Sequence, residues 1–368
     1  MKMNLAQYLR EYGDRTFREV PFSEVDALLL AQLSYLKMEG IVPGFGKSQG
    51  ITWAQLREHA DFEKLFNDPI YGKVHRKIFE LVAKSRRYRQ VKINYFAEWF
   101  DEEQEVQFAA VTFFLGATSF FVSYRGTDET IVGWKEDFNM GFMESVPAQR
   151  RALAYLKGVA RYTENGRMIL GGHSKGGNLA IFAAARAPRQ IQRRIRRVYS
   201  FDGPGFRRGF YEKEGFLRIE PKYCKIVPEQ SMVGFLMTNY RRYRVVESYK
   251  RGFGQHDLMQ WKIKNGKFVY RKDVYKSSSR QTGIFNAWMD SLNTEQITLF
   301  VETVYELLVA ASVKSVADLF KAPFRLVRRI LRSFRNMDRE RKKSFWEIIR
   351  KWFAAAFRFL TGQKRSGH

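Results

Sequence analysis

The stretch ILGGHSKGGNLAIFAAARAP, residues 169–188, holds Ser174 between glycines two positions before and two after it. Gly172-His173-Ser174-Lys175-Gly176 has the spacing of a nucleophile elbow, in which a strained turn lifts a serine off a strand end and a helix begins at once behind it. The glycines leave room for neighbouring backbone that a Cβ would block. The helix N-terminus aims N–H groups and a positive dipole end at an oxyanion. The chemistry of such a serine is acyl transfer. A serine that only caps the helix fits the five letters too, and it is the flanking strand and helix that favour the elbow.

An alcohol attacks a carbonyl when a base takes its proton, and the chain order for this architecture is serine, then acid, then histidine. The sequence has five histidines. His59 and His75 lie upstream, His173 inside the elbow is expected to point away from the nucleophile and pack, and His368 is the last residue. His256, in the glycine-containing loop GFGQHDLMQW, is left as the base. Two carboxylates compete to orient it. Asp202 ends the strand VYSFD and enters the turn GPG, where it could instead serve only to hold the turn; Glu229 in IVPEQS is the alternative acid. Asp257 is a poor candidate, since adjacent strand residues point to opposite sides.

An oxyanion needs two backbone donors. One is the N–H of Lys175, directly after the serine. The other is expected from Arg125-Gly126-Thr127 in SYRGTDETIVGWKEDF, where Thr127 would face the cleft and Arg125 could pair with Asp137 to brace the loop. Read alone, RGTDET is equally a plain hairpin exit.

The elements that must position these groups alternate strand and helix. VQFAAVTFFL and SFFVSYRG make a hairpin, PAQRRALAYLKGVARYT is a helix opened by Pro147, and GRMILGG is a short buried strand. NLAIFAAARA is a small-residue helix stopped at Pro188, followed by the strands IRRVYSFD, YCKIVP and YRVVES and a hairpin across Asn265-Gly266. Upstream, SEVDALLLAQLSYL with Ser23 as N-cap and WAQLREHADFEKLF read as helices. The pattern predicts a mainly parallel sheet flanked by helices, with ligands at the carboxyl ends of its strands. Three regions are expected: a helical N-terminal region (1–105) packed on a core (106–313), then a helical tail (314–368).

The lone Cys224 excludes an intramolecular disulfide framework and any multi-cysteine metal site. No metal or organic cofactor is implied. The first 22 residues show no apolar run of signal-peptide length, and no window has the ~18 uncharged apolar residues of a membrane span. A cytoplasmic location is the expectation.

The net charge of +26 points to a polyanionic partner. Residues 314–368 alone carry sixteen Lys/Arg against four Asp/Glu. FWEIIRKWFAAAFRFL places apolar residues at 345/346, 349, 352/353, 356/357 and 360, with Arg350, Lys351 and Arg358 off the stripe. The segment 317–337 is similar, with Leu319, Leu326, Ile330 and Phe334 among basic residues. Such basic amphipathic helices lie on anionic membranes, here the inner membrane face, or else pack on a core with a solvated basic face. Nucleic acid fits less well, because the aromatics follow apolar stripes and nothing resembles a recognition module.

FFVSYRGTDETIVGWKEDFNMGF, GGHSKGGNLA, YSFDGPGF and QHDLMQW together resemble the Mbeg-like family of bacterial α/β hydrolases, which is similar in turn to class 3 lipases. The resemblance covers roughly residues 20–300. It implies an α/β-hydrolase fold with Ser174 as nucleophile, His256 as base and Thr127 in the oxyanion loop. In class 3 lipases the acid lies in an aspartate-containing loop before a valine-proline pair. The comparable KIVPEQSMVG has no aspartate, which moves the acid to Asp202 or promotes Glu229. The expectation is a serine hydrolase, esterase- or lipase-like, acting on an apolar acyl or lipid ester. The alternative is a hydrolase fold kept for membrane or partner binding with its chemistry lapsed.

Overall fold

A computed structural model of the chain describes residues 4–46, 49–68, 71–101, 106–127, 131–140, 143–313 and 323–361. The N-terminal part contributes helices α1 (Leu5–Tyr12), α2 (Glu24–Leu33), α3 (Trp53–Arg57) and α4 (Gly72–Lys84), and strands β1 (Ile51–Thr52) and β2 (Lys92–Asp101). A hairpin of β3 (Val106–Gly116) and β4 (Ser119–Tyr124) follows, then α5 (Ile131–Asn139) and α6 (Pro147–Tyr162). Next come β5 (Arg167–His173), α7 (Lys175–Arg186), α8 (Arg189–Arg194), β6 (Ile195–Phe201), α9 (Glu214–Ile219), β7 (Tyr223–Pro228) and β8 (Arg244–Val246). Short strands β9 (Ile263–Lys264), β10 (Lys267–Phe268) and β11 (Tyr270–Arg271) precede helices α10 (Lys276–Met289), α11 (Thr294–Ala310), α12 (Pro323–Asn336) and α13 (Arg339–Thr361).

Among the described residues nine strands form one sheet in the order β1-β2-β3-β4-β5-β6-β7-β8-β11. The run from β4 to β8 is parallel, and both flanks are antiparallel. Parallel strands are buried on both faces and must be apolar on both. Successive side chains of β4 divide accordingly. Phe121 joins the core under α1, α2 and α4, while Phe120, Val122 and Tyr124 join the core under α6, α7 and α9. The result is a three-layer mixed sheet, mostly parallel, between helices. Helix α2 is buried from Val25 to Leu33. Its start is fixed by a capping box, with Ser23 Oγ accepting from the Asp26 amide and Asp26 accepting from the Ser23 amide.

Three departures from the sequence pattern have local causes. Residues 1–105 are not only helical: β2 pairs with β3 from Lys92↔Phe114 to Asp101↔Val106, so the N-terminal region shares the core's sheet. A register shift between Asn94 and Ala97, with Tyr95 at φ 56°, breaks the alternation that would have marked this strand. WAQLREHADFEKLF is not one helix, because α3 ends at Arg57 and Phe62–Phe66 forms a separate 3-10 turn. Helix α10 carries a weak pattern, its first turn being Lys-Ser-Ser-Ser. The Asn265-Gly266 turn does join β9 to β10, with φ of 51° and 71°.

Helix α13 packs on the helices before it. Ile348 and Ala355 of α13 are buried in a cluster with Trp288, Ile297 and Val301 of α10 and α11, and Trp288 Nε1 donates to the Ile348 carbonyl at 3.1 Å. Leu319, Lys364, Arg365 and His368 lie outside the described residues, as does the side chain of Leu360.

Candidate active site

Strand β5 ends at His173 and α7 begins at Lys175, which leaves one residue to make the whole turn. Ser174 makes it at φ 55°, ψ −130°, a conformation that costs a non-glycine residue about 1–3 kcal/mol. Its side chain accepts no hydrogen bond from the first turn of α7, so it is not acting as a helix cap. The spacing of the flanking glycines follows from contact. A Cβ on Gly172 would lie 2.4 Å from the Gly176 carbonyl carbon, and one on Gly176 would lie 2.1 Å from the Tyr124 oxygen. Strand β4 passes too close for any side chain there.

The parallel strands bring the other groups to the same edge. The Ser174 amide donates to Phe201 O at 2.9 Å, and the next residue, Asp202, donates its own amide to Ile226 O at 2.8 Å. Asp202 also sits at positive φ, 50°, and is 1% exposed. Its Oδ2 lies 2.6 Å from His256 Nδ1, and its Oδ1 accepts the Ser231 hydroxyl at 2.5 Å. A carboxylate at Nδ1 fixes the ring proton there and leaves Nε2 as the acceptor. Glu229 stands elsewhere, taken by Arg271 at 2.6 Å and Gln255 at 3.3 Å. Geometry therefore pairs His256 with Asp202, not with the alternative acid.

His173 does more than pack. Its ring lies 4.4 Å from the His256 ring, its Nε2 donates to the His256 carbonyl at 2.9 Å, and its Nδ1 accepts from Tyr35 Oη at 3.1 Å. Burial, aided by the neighbouring His256, holds its pKa well below 6.5, so it is neutral and this tautomer satisfies both nitrogens. Ser174 lies beside the strand end that carries Asp202, because its amide bonds to Phe201 O, and His256 is bound to that aspartate. Tyr35, just past α2, couples the N-terminal region to that edge. Sequence spacing gives no sign of it.

Arg125-Gly126-Thr127 lies against the elbow. A Cβ built on Gly126 would be 2.2 Å from Tyr35 Oη, 2.6 Å from His173 O and 3.3 Å from Ser174 Cβ, so only glycine permits this approach. Buried Arg125 is held by Glu98, and its amide donates to Ala109 O at 2.9 Å. The side chain of Asp137, its expected partner, lies outside the described residues, as does the loop 128–130. Thr127 is half-buried beside α5.

Lys175 sends its side chain inward, with Nζ 2.5 Å from Glu136 Oε2 and 3.1 Å from Gln107 O. Glu136 also accepts from the amides of Gln107 and Ala148. This buried pair ties α5, β3 and the start of α6 to the first residue of α7, and leaves Lys175 only its main chain to offer at the site. Behind Asp202, fully buried Lys225 donates to Gly234 O and Asn239. Burial pulls its ammonium down to about 7, against the opposing pull of the Asp202 charge. Asn178 holds the GPG turn by donating to Gly205 O at 2.7 Å. Ser231, Glu136, Lys225 and Asn178 escaped the sequence reading because each acts through a partner distant in the chain.

An apolar cavity of about 1040 Å³ adjoins this edge, walled by Phe206, Met232, Leu236, Phe285 and Met289. Its lining includes Phe253, whose ring is 5.7 Å from that of His256, but neither His256 nor Asp202. Ser174 does not line it.

Among solved structures, the chain is similar to a Rhizomucor miehei lipase propeptide complex (13% identity, TM-score 0.37, 69% of this chain and 73% of that one). It is also similar to a mutant form of MDLA from Penicillium cyclopium (10% identity, TM-score 0.37, 66% and 82%) and to lipase II from Rhizopus niveus (16% identity, TM-score 0.34, 57% and 81%). No curated protein matches it in sequence. A family model described as Mbeg1-like matches residues 82–306, well over half of the chain and every site residue named above except Tyr35. The chain belongs to the Mbeg1-like family.

Proposed function

We propose that the protein is a serine hydrolase of the α/β-hydrolase type that cleaves an apolar acyl or lipid ester through an acyl-enzyme intermediate. One observation carries the reading: buried Asp202 holds the half-buried His256 ring at the strand edge where an elbow keeps Ser174 at positive φ. In the proposed cycle Ser174 Oγ attacks the ester carbonyl while His256 Nε2 takes its proton. Asp202 holds the ring and stabilises the imidazolium as it forms. The N–H groups of Lys175 and Thr127 receive the oxyanion, each donor of this kind contributing about 10²–10³-fold to kcat. His256 returns the proton to the leaving alkoxide, and a water activated by the same ring releases the acid.

An apolar acyl group is supported by the cavity beside Phe253, whose aromatic, leucine and methionine walls suit a hydrocarbon chain. The reading is tested by hydrolysis of p-nitrophenyl esters of increasing chain length. Wild type should turn over one or more of them, with kcat/KM rising as the acyl chain lengthens, and Ser174→Ala should fall to background. A folded wild-type protein inert across the panel would favour the lapsed-module alternative.

A further inference from the structure

Helix α13 has two apolar sides, one packed on α10 and α11 and the other largely exposed, with Trp346 touching Phe334 of α12 edge-on. Ile348 and Ala355 pack against α10 and α11, and Phe345 stacks on Phe300 of α11. The opposite side carries Trp346, Phe353 and Phe357, which are 55%, 61% and 64% exposed. They recur seven and four residues apart, with exposed Lys343, Arg350 and Arg358 between and beside them. From Lys343 to Phe357 the stripe is about 21 Å long at 1.5 Å per residue. Helix α12 repeats the composition, with exposed Val327 and Leu331 among Arg328, Arg329 and Arg332. Large aromatics in water beside fixed cations, on a helix already anchored by its other side, have the make-up of an interfacial surface.

Charge selects the occupant. A second copy would bring one strongly basic face against another, which repels. An anionic bilayer supplies both what the cations need and a boundary into which Trp and Phe rings can settle. Among the described residues no helix is long and apolar enough to cross a membrane, so the helix would lie on the surface.

We propose that the outward stripe of α13, Trp346, Phe353 and Phe357 flanked by Lys343, Arg350 and Arg358, docks the protein on an anionic lipid bilayer with the helix axis in the headgroup plane. The docked helix packs on α10 and α11, and these also supply Phe285, Met289 and Ile297 to the wall of the apolar cavity. Docking holds that cavity one helix layer from the lipid. The proposal stands apart from the serine chemistry.

The test is flotation of the full-length chain with vesicles of equimolar phosphatidylglycerol and phosphatidylcholine, and with pure phosphatidylcholine vesicles. Wild type and Ser174→Ala should float equally with the anionic vesicles and not with the neutral ones. Raising the salt from about 0.05 to 0.5 M should release them, as screening shortens the reach of the charges. The triple variant Trp346→Ser, Phe353→Ser, Phe357→Ser should lose about tenfold or more in partitioning, and so should Arg350→Glu with Arg358→Glu. All five side chains are exposed, so the thermal midpoint should hold and separate lost docking from lost folding. Equal flotation with neutral vesicles, or both variants binding like wild type, overturns the proposal. So does a short duplex DNA that strips the protein from anionic vesicles at concentrations well below the lipid, which would make nucleic acid the occupant. Self-association lost in the triple variant, without vesicle binding, would make it a second copy.

Discussion

Replacing Asp202 by asparagine removes one charge and almost no volume, so its effect on rate can be read apart from packing. In the wild type the carboxylate accepts two hydrogen bonds, from His256 Nδ1 at 2.6 Å and from Ser231 Oγ at 2.5 Å. An asparagine has one oxygen and one NH₂ for the same two neighbours. If its oxygen keeps the serine, its NH₂ faces Nδ1, and the ring must carry its proton on Nε2. A ring protonated there cannot take a proton from Ser174. Mutations of this kind in catalytic triads lower kcat by about 10⁴-fold, or ~5.4 kcal/mol of barrier at 1.36 kcal/mol per decade. KM should change little, because the lost interaction belongs to the transition state. Glu229→Gln is the matched control, since that carboxylate is engaged by Arg271 and Gln255; it should stay within about threefold of wild type. The assay is steady-state hydrolysis of the best p-nitrophenyl ester, with the thermal midpoint measured on the same preparations. An Asp202→Asn enzyme within tenfold of wild type would refute the reasoning, most decisively if Glu229→Gln were the inactive one.

Other expectations follow from the same contacts. His173→Gln loosens the clamp on the His256 main chain and should lower kcat by about 10²-fold, as small misplacements of a catalytic group do, while a fluorophosphonate still reaches Ser174; unchanged kcat would contradict a positioning role. Gly126→Ala puts a methyl group 2.2 Å from Tyr35 Oη and 2.6 Å from His173 O, and should cost about 1–3 kcal/mol in a urea titration along with most of the ester turnover. Buried His75, bonded to Gln32, has its pKa pulled down to about 4 by burial. A histidine whose folded pKa lies below its unfolded value binds fewer protons folded than unfolded, so its stability is whole above pH ~6.5 and is lost as pH falls toward 4, by about 3 kcal/mol in all. Urea titrations at pH 7.5 and 4.5 should therefore show a smaller acid loss in His75→Gln; an equal loss in both proteins would place the acid sensitivity elsewhere.

How far the sequence reveals the fold and the site depends on the range of the interaction. The G-x-S-x-G spacing marks the elbow because its cause is local: Gly172 and Gly176 meet each other and the passing Tyr124 backbone. His256 emerges by elimination among five histidines, and Asp202 by standing at a strand end. Strand β2 hides because the bulge at Tyr95 shifts its alternation. Glu136, Ser231 and Tyr35 hide because each reaches the site across 39, 29 or 138 residues of chain, where no periodicity operates. The tail shows the limit most clearly. Its apolar positions can be counted in sequence, but only packing divides Ile348 and Ala355, which are inside, from Trp346, Phe353 and Phe357, which are outside.

The most direct test is the intact mass of the protein after reaction with a fluorophosphonate, followed by peptide mapping. One adduct per chain is expected, carried by Ser174, absent from Ser174→Ala and slowed by orders of magnitude in Asp202→Asn. A folded protein that takes no adduct, or takes it on another residue, would contradict that expectation.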